Sequence, residues 1–341
     1  MKDISRRKFV KMAGATLAGV SLAGISGIVG GCGTEAATKT AAAPGAKDAV
    51  SHEAKKATVY FTKHIDADHL LALYKKVNAE IRGNVAIKLH SGEPHGPNIL
   101  PREMVSAFQK HIPDSTIIEA NVAYGGPRAT TKGHKETLAV NGWNFCPVDI
   151  IDEEGDIDFP VNGGLHLKRV SMGSHLANYD SLVVLTHFKG HAMGGFGGSL
   201  KNIAIGCASG AVGKRQVHGL VDYGKWVTGG LFMELMADSG KAICDHFGKQ
   251  ITFLNVLRRM SVDCDCAGTS AAEPVIPDLG MLASTDILAI DQASVDMVYQ
   301  FRDDRKNDLI ERIESREGLR QLSAMKELGM GTDQYELVSI D

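Results

Sequence analysis

The run Ser181-Leu182-Val183-Val184-Leu185-Thr186 constrains the fold more than any other segment of the chain. Its four central residues are apolar without alternation, the pattern of a strand buried on both faces rather than one. Such a strand belongs inside a sheet that carries a helical layer on each side. The rest of the chain supplies those layers. Ala57–Thr62 and Ser115–Glu119 read as strands, as do 84–89 and 250–257. Between them Asp66 caps a helix with Leu70, Leu73, Tyr74 and Val77 at helical spacing. Further helices are expected over 101–111, 130–140, 231–247 and 287–301, followed by a charged helical tail over 303–328. Strands alternating with helices predict an α/β fold, a mainly parallel sheet with helices on both faces.

The N-terminus carries a different message. Lys2, Arg6, Arg7, Lys8 and Lys11 precede a weakly apolar run rich in Ala and Gly, the layout of a signal peptide. Ser5-Arg6-Arg7-Lys8-Phe9-Val10-Lys11 resembles the twin-arginine (Tat) export motif, and Val29-Gly30-Gly31-Cys32 resembles a lipobox that would leave Cys32 for lipidation. The resemblance implies a folded, exported protein, periplasmic or otherwise extracytoplasmic, held to the membrane by a lipid anchor. Residues 1–31 are then the signal, 32–56 a flexible tether poor in large apolar groups, and 57–341 one α/β domain. Folded export also raises the expectation of a cofactor inserted beforehand.

The leader holds five basic side chains and one acidic one, so its removal takes the formal charge from −3 to −7. An acidic body disfavours nucleic acid as a partner. Apart from Cys32 there are five cysteines, Cys146, Cys207, Cys244, Cys264 and Cys266. An odd number cannot all pair within one chain, so some thiols stay free, buried or metal-bound.

The densest chemistry follows the apolar strand. His187, Lys189 and His191 lead into Gly194, Gly195, Gly197 and Gly198, then Lys201 and Asn202. A glycine-rich loop beyond a strand's carboxyl end suits a small anionic ligand or substrate, cradled by backbone N–H groups. Lys189 or Lys201 would supply counter-charge, and His187 or His191 acid–base chemistry. The segment is not a Walker loop, and neither is Gly213-Lys214-Arg215, where Ala208 and Arg215 replace the required glycine and hydroxyl residues.

Asp263-Cys264-Asp265-Cys266 is the second cluster. On a strand, residues two apart share a face, so both sulfurs would meet one metal with Asp263 and Asp265 directed away. Thiolates suit zinc, copper(I) or an iron–sulfur cluster, with Cys207 the expected third ligand. A local disulfide, or plain burial of small apolar side chains, are the alternatives. Lys88-Leu89-His90-Ser91-Gly92-Glu93-Pro94 also ends a strand and reads as a solvated turn. Asp286 reads as a helix N-cap rather than a metal ligand, near Asp278, Asp291 and Asp296.

The run 187–207, with Asp263-Cys264-Asp265-Cys266, Pro277-Asp278-Leu279-Gly280 and the segment 283–291, resembles the DUF362 family over about residues 58–338. The resemblance implies His187, Lys189, His191, Lys201, Asn202, Cys264 and Cys266 as motif positions, without assigning roles. The ferredoxin-like segment common in that family is not present in this sequence. The function expected is a protein dependent on a metal ion or iron–sulfur cluster, with oxidoreductase chemistry. A lipid-anchored anion-binding protein without catalysis, and a metal-dependent isomerase or hydrolase using histidines alone, are the rivals.

Overall fold

The computed structural model describes residues 56–341, so the export motif, Cys32 and the tether before Lys56 lie outside the described residues. The first half of the domain runs β1 (Ala57–Thr62), α1 (Ala67–Val77), β2 (Val85–Lys88), α2 (Arg102–Gln109), β3 (Ser115–Glu119), α3 (Thr131–Val140) and β4 (Val148–Ile150). Next come a hairpin, β5 (Asp156–Pro160) and β6 (Arg169–Gly173), then β7 (Ser181–His187) and a small hairpin, β8 (Lys189–His191) with β9 (Gly195–Gly197). Helices α4 (Ser199–Ala204), α5 (Gly213–Val217) and α6 (Gly229–Phe247) precede β10 (Ile251–Leu257) and β11 (Gly280–Ser284). The described chain closes with α7 (Ile287–Gln300), α8 (Asn307–Ser315), α9 (Arg320–Glu327) and β12 (Tyr335–Ser339).

Eight strands form one sheet in the order β12-β1-β11-β10-β7-β2-β3-β4. Five of its neighbouring pairs are parallel; only β1 with β11 and β10 with β11 are antiparallel. The α/β expectation therefore holds, and β7 shows why. Leu182 and Val184 pack into the core beneath α4, α6 and α7, while Val183 and Leu185 join the opposite core under α1 and α2. Each fully buried Leu or Val side chain contributes roughly 1.5–3 kcal/mol, so a polar residue at any of these four positions would break the sandwich. Asp66 and Asp286 cap α1 and α7 through the N–H groups of His69 and Ala289, as their positions suggested.

Two features depart from the sequence reading. Strand β11 runs against its neighbours, because the link from β10 to β11 is a loop rather than a crossover helix. Asp263-Cys264-Asp265-Cys266 is no strand: Cys264 is extended and caps a 3-10 turn over Asp265–Ser270. Strand-face logic does not place its side chains.

Candidate metal centre and cavity

The parallel strands β10, β7, β2 and β3 end on the same edge of the sheet, where open α/β sheets gather their ligands. Lys88 ends β2 and Glu119 ends β3, with Lys88 Nζ 2.6 Å from Glu119 Oε2. Glu119 Oε1 accepts from both the N–H and the hydroxyl of Ser91, each at 2.7 Å. Trp143 Nε1 and Asn141 Nδ2 donate to the Ser91 carbonyl from below. Burial opposes ionisation of Glu119, yet Lys88 and the surrounding cations hold its carboxyl well below the usual range. These bonds fix residues 88–91, so His90 is a positioned side chain and not part of a solvated turn.

The cysteine turn is fixed from the other side. Asp265 lies between the two cysteines, buried, with Oδ2 2.9 Å from His187 Nδ1 and 3.0 Å from Lys189 Nζ. The other nitrogen of His187 meets the Arg258 carbonyl at 2.7 Å, and Lys189 also donates to the His187 carbonyl at 2.8 Å. Burial works against the Asp265 charge, but His187 and Lys189 hold its carboxyl well below the normal range. Asp263 points outward to Arg312 at 3.0 Å. His187 and Lys189 thus hold the cysteine turn in place and do not line the cavity described below.

Between the two fixed segments, one ligand atom each from His90, Cys264 and Cys266 falls within 4.8 Å of the others. Lys201 Nζ stands 3.4 Å from Cys264 Sγ. A hydrogen bond from the Cys266 thiol, aided by Lys201, His90 and Lys189, holds Cys264 well below the usual thiol range despite burial. The same shared proton pushes Cys266 up. Burial lowers His90, so its ring is neutral; its Nδ1 accepts from the Gly92 N–H at 3.0 Å, which leaves Nε2 for the sulfurs. A neutral imidazole and a standing thiolate are the protonation states that metal ligation needs.

Beside this group opens a cavity of about 290 Å³. Its wall includes Cys266, His90, Lys201, His191, Lys88, Glu119, Arg128 and Lys214, with Val122, Tyr124, Ile205 and Trp226 as apolar surface. His191 accepts from the Gly194 N–H at 2.8 Å through Nδ1, and burial pushes it down to about 3. It faces the cavity as a neutral ring whose proton sits on Nε2, a hydrogen-bond donor rather than a cation.

The glycine loop is not the cradle that its composition suggested. The N–H groups of Ser199 and Leu200, which open α4, are taken by Asp291 at 2.7 and 2.9 Å. Asn255 Nδ2 gives Asp291 a third donor at 2.9 Å. The carbonyls of Gly194 and Phe196 accept from Gln321 Nε2. At Gly195, φ is +77° and a Cβ would meet Gly318 and Ile313 backbone at 2.9 Å, so this glycine serves a close backbone approach. Gly198 is packed against Asp291 and Gly197 against the Lys201 stem. Asn202 Nδ2 donates to Thr186 Oγ1 and to the Lys88 and Leu185 carbonyls, tying α4 to the sheet. An internal carboxylate fills the place assigned to an external anion.

Cys207 does not join the sulfur pair. It is fully buried in the apolar core, and burial pushes its thiol up to about 11. His90 occupies the third position instead. Cys146 and Cys244 lie against opposite cores. Among the described residues two further groups bring His, Asp or Glu together, His64 with His69 and Asp341, and Asp149 with Glu153 and His175; each includes exposed members. The sequence placed His90 in a solvated turn and met Lys214 only in a rejected phosphate loop, and it did not single out Arg128. Only the position of His90 at a strand's carboxyl end signalled it.

A family model described as a domain of unknown function, DUF362, matches residues 85–296. No curated protein matches the chain. Among solved structures, the lactate racemase apoprotein from Thermoanaerobacterium thermosaccharolyticum aligns with a TM-score of 0.41 and 12% identity, over 71% of this chain and 57% of that one. A protein from Thermotoga maritima aligns with a TM-score of 0.41 and 11% identity, over 70% and 60%. The chain spans less than two thirds of the length of either structure.

Proposed function

This chain belongs to the DUF362 family, and we propose that it is a metal-dependent enzyme whose Cys264, Cys266 and His90 hold one soft metal ion beside the substrate cavity. The observation that carries this reading is the convergence of those three donors within 4.8 Å, with Cys264 already stabilised as a thiolate. Two thiolates and an imidazole would suit zinc, copper(I) or another thiophilic ion. An iron–sulfur cluster asks for about four cysteines, and Cys146, Cys207 and Cys244 stand apart from the pair. A single ion is therefore favoured over the cluster.

When bound, such an ion supplies Lewis-acid or electron-transfer chemistry at the cysteine end of the cavity. The protein's own groups do the rest. Asp265, fixed by His187 and Lys189, holds the two sulfurs at their spacing. His191 presents its Nε2 proton to the substrate, and Lys201 balances the thiolate charge from 3.4 Å. Tyr124 and Trp226 shield the cavity mouth with aromatic surface. His90 would bind such an ion through Nε2, since its Nδ1 accepts from the Gly92 N–H. Twin-arginine export, with Cys32 as lipid anchor, completes the proposal: a folded chain carries its ion across the membrane.

The test is metal analysis and visible absorption of anaerobically purified protein. One equivalent of metal per chain, lost on Cys264→Ser, is expected. Iron or copper by elemental analysis directs the assay toward oxidoreduction; zinc directs it toward isomerisation or hydrolysis. Metal-free protein, or metal retained after loss of both Cys264 and Cys266, would rule the reading out.

A further inference from the structure

Four cations line the cavity wall, and three of them are matched. Lys88 pairs with Glu119 at 2.6 Å, Arg128 with Glu93 at 2.8 Å, and Lys201 with the Cys264 sulfur at 3.4 Å. Lys214 is not matched. It is 5% exposed, and its ammonium donates at 2.7 Å to a neutral acceptor, the Ala208 carbonyl. It forms no ion pair with a carboxylate among the described residues. Asp152 lies behind it, with its two oxygens already accepting the N–H groups of Asn121 and Gly210. Burial, which the more distant charges of Asp152 and Glu119 only partly offset, pushes Lys214 down to about 8. A buried ammonium with one neutral acceptor is costly, and an anion entering from the cavity would offset that cost.

We infer that the substrate carries a compact anionic group, a carboxylate or a phosphate, which Lys214 binds at a point of the cavity wall separate from the cysteine cluster. This rests on the reading of the cavity as the substrate chamber, and it moves the anion away from the glycine loop. The small volume and the apolar faces of Val122, Ile205 and Trp226 fit a short anion with an apolar body. Lys214 is a binding residue for the anionic end, with the chemistry taking place at the other.

The experiment is titration of the full chain with inorganic phosphate and, separately, with acetate, followed by calorimetry and by Trp226 fluorescence. Wild type is expected to bind at least one of them, and the stronger identifies which anion the site takes. Lys214→Met should weaken that binding at least tenfold, while Lys214→Arg should stay within about threefold of wild type. Ala123→Phe, which narrows the same cavity without changing a charge, should also weaken it tenfold and covers the case in which Lys214→Met does not fold. Unchanged affinity in Lys214→Met or in Ala123→Phe, or no binding of either anion by wild type, overturns the inference. Repeating the titration in Cys264→Ser separates the two proposals. Phosphate or acetate binding that survives there and still depends on Lys214 supports the anchor whatever the fate of the metal reading. Retained metal with a Lys214-independent anion contradicts the anchor alone.

Discussion

The glycine-rich loop and the cysteine turn face the same sheet edge, yet they satisfy their polar groups in opposite ways. In the loop the backbone groups and the Asn202 amide meet partners from the chain itself: Asp291 takes the α4 N–H groups, Gln321 the carbonyls, and Thr186 the Asn202 amide. In the cysteine turn the flanking groups are locked by Asp265, while the sulfurs lie near His90 and Lys201 and Cys266 lines the open cavity. Buried polar groups that are mutually satisfied rigidify a fold. Those left beside a cavity, with unused bonding capacity, are the ones available to a ligand.

The comparison can be broken most forcefully at Asp265. Asp265→Ala strands the buried Lys189 ammonium, and breaking a buried pair costs about 3–5 kcal/mol. A fall of that size in urea stability is expected, with loss of bound metal. Asp263→Ala, on the exposed side of the same turn, should change stability by less than about 1 kcal/mol. Next is Asp291→Ala, which leaves the Ser199, Leu200 and Asn255 donors without their acceptor. Each buried unsatisfied group costs about 1–3 kcal/mol, so a loss of about 3 kcal/mol is expected with metal content unchanged. Loss of metal in Asp291→Ala would show that the loop belongs to the site after all.

Acid sharpens the contrast. Burial pushes His134 and His191 to about 3 and His218 to about 4 in the folded chain. A depressed histidine binds its proton more readily when unfolded, so its stability contribution is present above the ordinary value near 6.5 and is lost as pH falls. Each contributes up to about 1.4 kcal/mol per pH unit in that window. Asp291, raised to about 6 by burial, acts in the opposite sense, stabilising the folded state as pH falls through 6. Three histidines outweigh one carboxyl, so Tm should fall between pH 6.5 and 4. A flat or rising Tm over that range would contradict the burial of these rings. Cys264→Ser leaves a hydroxyl acceptor near Lys201 but removes the thiolate charge that matches it, so a loss of about 1–3 kcal/mol is expected.

Much of this was legible in the residues. The unbroken apolar run of β7 specified a strand between two helical layers, and the caps at Asp66 and Asp286 announced their helices. The antiparallel β11 was not legible, since strand direction depends on how the preceding loop crosses the sheet. Nor was the identity of the third donor. Cys207 and His90 both follow strands or helices at the right edge, and only packing decides that one thiol turns into the core while one imidazole turns to the sulfurs. The glycine loop misled for a physical reason: glycines permit close approach, but the sequence does not say whether a ligand or Asp291 will approach.

The most direct measurement is metal stoichiometry across three proteins: wild type, Cys264→Ser and Cys207→Ser, purified anaerobically and compared by elemental analysis. The structure leads to one equivalent in wild type and in Cys207→Ser, and none in Cys264→Ser. Equal metal in all three, or loss in Cys207→Ser alone, would contradict a centre built on Cys264, Cys266 and His90.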